Sequence, residues 1–172
     1  MLGAGEPVKL TLVELSSSSG RTVVRVTSDA LGEWRGPRAD RLDELVGAHQ
    51  RISGTRPGRR WETEQLNWAL VLRLAGEFQG FARDLHDLAA DAVAEKAGGP
   101  LRGLVKSSLV FGRKLDRGNA EPGALGEDFG RFGMDWWPVL QARTPRTKGR
   151  QEELVRLNRA RNAIALPDRR AR

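Results

Sequence analysis

The chain has 172 residues, no cysteine, two histidines, and 29 Lys or Arg against 22 Asp or Glu, a net charge of +7. Absence of cysteine excludes disulfides, thiolate nucleophiles and the usual structural zinc sites, and His49 and His86 lack the neighbouring ligands a catalytic zinc needs, so no metal is expected. No apolar run approaches a membrane span, and Met1 to Pro7 does not read as a secretory leader, so the expectation is a soluble cytoplasmic protein with one domain, a small appendage and no membrane contact.

In chain order, Val8, Leu10 and Leu12 alternate with polar residues, a serine run ending at Gly20 interrupts, and Arg21 to Thr27 resumes with β-branched residues. This pattern predicts a β-hairpin within an appendage covering residues 1–37, with a loop around Gly32 to Pro37. Leu42, Leu45 and Val46 predict a short helix over 39–52, which Ser53 to Gly58 stops. Arg56, Arg59 and Arg60 precede Trp61, a combination that either touches unstacked bases or forms a basic linker. The longest helix is predicted over 62–96, with an apolar stripe from Leu66 through Phe78 and Leu85 to Val93, and with Gly76 and Gly80 as close-packing positions. Gly98-Gly99-Pro100 ends it, and a further helix is expected over 101–114. Residues 116–130, rich in glycine and acid, read as a loop, followed by a helix over 127–143 that Pro138 kinks. Of the adjacent Trp136 and Trp137, one ring is expected in the core and the other at an interface, because adjacent helical residues point about 100° apart.

The segment Leu154 to Pro167 forms the last helix, with Leu154, Leu157, Ala160 and Ile164 expected on its buried face. From Arg143 to Arg172 there are ten Lys or Arg against three acids, a surplus equal to that of the whole chain. The positive charge is therefore concentrated around this helix, as for a surface that meets a polyanion, with residues 169–172 as a basic tail.

Within that helix, Arg161-Asn162-Ala163-Ile164-Ala165-Leu166 is similar to the R-N-x-x-x-H signature of HEPN-domain ribonucleases, with leucine where the family has histidine. The resemblance implies a HEPN-like bundle of four or five helices over residues 38–168, mostly α, that dimerises and cleaves RNA without metal or cofactor. It implies a toxin or antiphage-defence role, RNA as partner, and an antitoxin or defence-system protein as a further one. Arg161 would clamp the scissile phosphate, Asn162 would cap the helix or position that clamp, and Leu166 occupies the acid/base position. Cleavage by the 2′-hydroxyl needs a group that moves protons near neutral pH and a cation on the phosphate. Arginine supplies the cation, whereas leucine moves no proton. The expected molecule is thus an endoribonuclease in inactive form, through natural loss or deliberate substitution at Leu166, or else a non-catalytic dimeric helical module that binds RNA or a protein.

Arg156 and Arg159, with Arg161, are the expected RNA contacts. In HEPN relatives an acid on the first long helix orients the motif residues, and Glu77, Asp84 and Asp87 are the candidates, although each also suits an ordinary helix-surface ion pair. Arg161 and Leu166 lie about 140° apart around a straight helix, so one chain does not aim both at one phosphate, and two facing copies would.

Overall fold

The computed structural model describes residues 10–15, 23–53 and 61–166, and the chain there is mostly helical. Strands β1 (Leu10–Leu15) and β2 (Val23–Ser28) pair antiparallel, with Leu12 opposite Val26. The residues joining them, the Arg56 to Arg60 cluster and the basic tail all lie outside the described residues.

Helix α1 (Asp29–Glu33) follows β2 directly, its first turn capped by Ser28 Oγ, which accepts from Leu31 N at 3.2 Å. The chain then passes through a kinked π-type turn, Trp34–Arg38, where Gly36 leaves helical geometry ahead of Pro37. Residues 29–38 are therefore helical rather than a loop. They belong to the helical body, because Trp34 packs against Phe78 and Phe81 with ring centroids 6.1 and 5.2 Å away. Local glycine and proline content suggests the loop, and burial of Ala30 with the packing of Trp34 on the long helix overrides it.

Helix α2 (Ala39–Ser53) and the 37-residue α3 (Trp61–Ala97) form the spine, α3 being about 55 Å long. The packed stripe of α3 differs from expectation in its second half: Ala82, His86, Ala90 and Ala94 are buried, whereas Val93 is exposed. Small residues let the next helix approach closely. Gly98 and Gly99, both at positive φ, turn the chain so that α4 (Leu101–Val110) runs back along α3. The pairs Arg102–Glu95 and Lys106–Asp91 register this antiparallel contact.

The expected loop at 116–130 is largely structured. A 3₁₀ turn at Lys114–Asp116 leads to α5 (Pro122–Gly130), which begins with proline in its first turn and buries Leu125, Asp128 and Phe129. The Asp128 carboxylate is fully buried and accepts N–H bonds from Lys114 at 2.9 Å and Leu115 at 2.8 Å, tying the turn to the helix. Gly133, at positive φ, separates α5 from α6 (Trp136–Arg143), so the single helix expected over 127–143 is two. Pro138 falls within the first turn of α6 and needs no kink. Helix α7 (Thr147–Ala165) then packs along α3.

The core gathers Ala82, Leu115, Ala120, Leu125 and Phe129, with Phe78, Leu85, Phe132, Trp136, Trp137 and Leu154 packed on it. Both tryptophans serve this core. Trp136 stacks on Phe129 with centroids 4.2 Å apart, and Trp137 donates its indole N–H to Pro122 O over Gly126, whose missing side chain leaves the space. Both rings are half-buried. His86 is fully buried between Phe129 and Phe132, with Nε2 on Asp128 O at 3.1 Å. Burial pushes its pKa down, so it is a neutral core residue.

Candidate nucleic-acid interface

Helix α7 packs through a polar seam. Its buried residues are Thr147 and Asn158, and Ala160, expected inside, is exposed. Asn158 Nδ2 donates to Ala120 O at 3.2 Å and to Leu154 O at 2.9 Å. One turn on, Asn162 Oδ1 accepts from Asn119 Nδ2 at 2.8 Å and from Arg161 Nη1 at 3.2 Å. The two asparagines fasten α7 to residues 119 and 120, and side-chain amides at that seam rotate the helix so that Arg161 and Asn162 are half-buried. Asn162 thereby accepts a hydrogen bond from the Arg161 guanidinium through its side chain.

Arg161 opens on a polar groove of about 770 Å³ lined also by Gly112, Lys114, Arg117, Asn119, Glu121 and Glu127. Lys114 pairs with Glu127 at 2.5 Å. Arg117 and Arg161 pair with no carboxylate among the described residues, so two guanidinium groups without an acidic partner there face one cavity. No side chain caps the first turn of α5, whose Gly123 and Ala124 also line this groove. Glu121 stands against the positive charge there, leaving the lining with three cations and two anions. Comparison with family models, curated proteins and solved structures finds no match.

The other site residues fall elsewhere. Arg156 and Arg159 are exposed on the same helix, free to meet a ligand but outside the groove lining. Leu166 ends α7 with 76% of its surface exposed, and its N–H bonds to Asn162 O. Neither histidine lines the groove.

Glu77 and Asp84 serve arginines other than Arg161. Arg38 donates to Glu77 Oε2 at 2.8 Å and to Asp84 Oδ2 at 2.7 Å, while Arg41 and Arg73 each reach Glu77 Oε1 at 2.8 Å. Hydrogen bonds from Arg41 and then Arg38 hold the buried Glu77 carboxyl down at about 2. Asp87 pairs with Arg113 at 2.6 Å. These three acids are therefore ion-pair partners within the bundle, with no contact to the motif arginine.

Sequence reasoning missed Arg117, Lys114 and Asn119. Their signal was the run Arg113-Lys114-Leu115-Asp116-Arg117-Gly118-Asn119, basic and glycine-containing, which runs into the stretch read as loop. A second cavity, about 570 Å³, lies between α3, α6 and α7, but its walls are the core's own Phe78, Phe81, Phe129, Trp136 and Trp137. It carries none of the motif residues.

Proposed function

We propose that this protein is a HEPN-like helical bundle with an N-terminal β-hairpin, dimeric, whose groove at the end of α7 binds RNA phosphate and lacks the imidazole that would cleave it. The observation that carries the reading is the convergence of Arg161 and Arg117, both without a carboxylate partner, on one groove. Guanidinium is the side chain best matched to phosphate, through planar paired donors and permanent charge. Asn162 and Asn119 preorganise it, which reduces the ordering cost of binding. Cleavage lacks the family's proton carrier: Leu166 cannot transfer a proton, and no histidine lines the groove among the described residues. The family reading adds that Leu166→His completes a metal-independent endoribonuclease of toxin or defence type.

Two measurements test this. Fluorescence polarisation of a labelled single-stranded RNA should show affinity that falls with salt, and Arg161→Gln or Arg117→Gln should each lower the log–log salt slope by about 0.7, the loss of one phosphate contact. Leu166→His should then degrade RNA in EDTA and arrest growth on expression. A wild-type chain that ignores RNA at low salt refutes the reading entirely. Binding with no cleavage by the histidine variant leaves the RNA-binding module and removes the ribonuclease ancestry.

A further inference from the structure

We infer that Phe111 is a stacking platform for an unpaired RNA base, making the α7 groove selective for single-stranded over duplex RNA; this rests on the phosphate-binding reading above. Phe111 is 81% exposed, more than any other large apolar residue described. It stands one residue from Gly112, which lines the groove beside Arg161 and Arg117. Consecutive Cα atoms are about 3.8 Å apart, so the ring is rooted at the groove's edge.

The backbone that carries it is fixed. Phe111 ends α4 in extended geometry, and Gly112 takes φ +72, a left-handed conformation that glycine adopts without strain. Arg131 clamps the corner from below, Nη1 donating to Leu109 O at 3.1 Å and Phe111 O at 2.8 Å, and Nη2 donating to Gly112 O at 3.1 Å. A guanidinium on three backbone carbonyls fixes the corner that carries this exposed ring.

The chemistry of the two neighbours selects the occupant. Free guanidinium groups take a phosphate, and an exposed aromatic face beside them takes the base that the same nucleotide strand presents. In a duplex the bases are stacked and paired, so the ring finds nothing to stack on while the phosphates remain available. The arrangement therefore favours unpaired strands, with little preference among bases, because every base has a π face.

The experiment compares an oligouridine with a perfect RNA duplex of equal length, by polarisation over a range of salt. Phe111→Ala should weaken oligouridine binding by about five- to a hundredfold, leave duplex binding within about twofold and leave the salt slope unchanged. Phe111→Trp should retain oligouridine affinity, and Phe111→Leu should not. Arg161→Gln, by contrast, should weaken both ligands and reduce the slope. If Arg161→Gln behaves so while Phe111→Ala binds oligouridine like the wild type, the stacking role is refuted and the phosphate groove stands. If wild type binds neither RNA, both fall. Should Phe111→Ala instead change the sedimentation of the protein and not its RNA affinity, the ring belongs to a protein interface and the inference is overturned.

Discussion

Gly80→Ala should destabilise the fold, although alanine is the better helix former. A Cβ at position 80 would lie 2.5 Å from Arg38 Nη1 and 3.0 Å from both Cζ and Nη2. Ordinary van der Waals separation would require the guanidinium to retreat by about 1 Å. Its bonds to Glu77 Oε2 at 2.8 Å and Asp84 Oδ2 at 2.7 Å would then exceed hydrogen-bond range. A charged hydrogen bond is worth about 1.5–3 kcal/mol, and the Asp84 pair counts for less because that carboxylate is half-exposed, so the loss is about 2–3 kcal/mol. The helix-propensity gain of alanine over glycine is about 1 kcal/mol, leaving a net destabilisation of about 1–2 kcal/mol. The sign should reverse in an Arg38→Ala background. There the obstruction is gone, Glu77 still holds Arg41 and Arg73, and Gly80→Ala should stabilise by about 1 kcal/mol. Urea unfolding of the four proteins, followed by circular dichroism, reads the cycle. Additive effects, or a wild-type background in which Gly80→Ala raises the midpoint, would refute the close approach of Arg38 to α3.

Three further predictions concern charge. The depressed Glu77 pKa means that the unfolded chain binds a proton before the folded one as pH falls, so this stabilisation is complete above about 4.5 and disappears as pH drops through about 2. Allowing for solvent screening by the half-exposed Arg41 and Arg73, it amounts to about 1–2 kcal/mol, and Glu77→Gln should flatten the urea-midpoint profile across that window. His86, whose pKa is lowered by burial, acts in the same direction from a higher starting point: its contribution is full above its unfolded value of about 6.5 and falls on acidification. His86→Gln, which keeps an N–H for Asp128 O, should remove that first decline. At the groove, Glu121 opposes an anion without engaging Lys114, so Glu121→Gln should tighten RNA binding by about two- to fivefold at low salt, and unchanged or weakened binding would count against phosphate occupying that cavity.

The helical character of the chain was legible wherever apolar periodicity ran long, as in α2 and α3, whose bounds fall within one residue of the reading from sequence. It failed where helices are short and stabilised from outside. Nothing in Pro122-Gly123-Ala124-Leu125-Gly126 advertises a helix; what makes one is Leu125 and Phe129 entering the core, Trp137 filling the space over Gly126, and Asp128 binding the turn that precedes it. The same limit governs the site. Arg161 stood out because its neighbours form a contiguous signature, and local charge pointed to that helix. Arg117 and Asn119 come from more than 40 positions earlier, and the Asn162–Asn119 and Asn158–Ala120 bonds help to bring that turn to α7. Glu77 illustrates the converse. A conspicuous acid on the long helix suited a role beside the motif arginine, yet three other arginines compete for it, two of them from the chain before α3. Sequence spacing determines which face of a helix a carboxylate occupies, but the choice among cations belongs to tertiary packing. In this chain that choice separates a structural cluster around Glu77 from a groove whose guanidinium groups meet no carboxylate among the described residues.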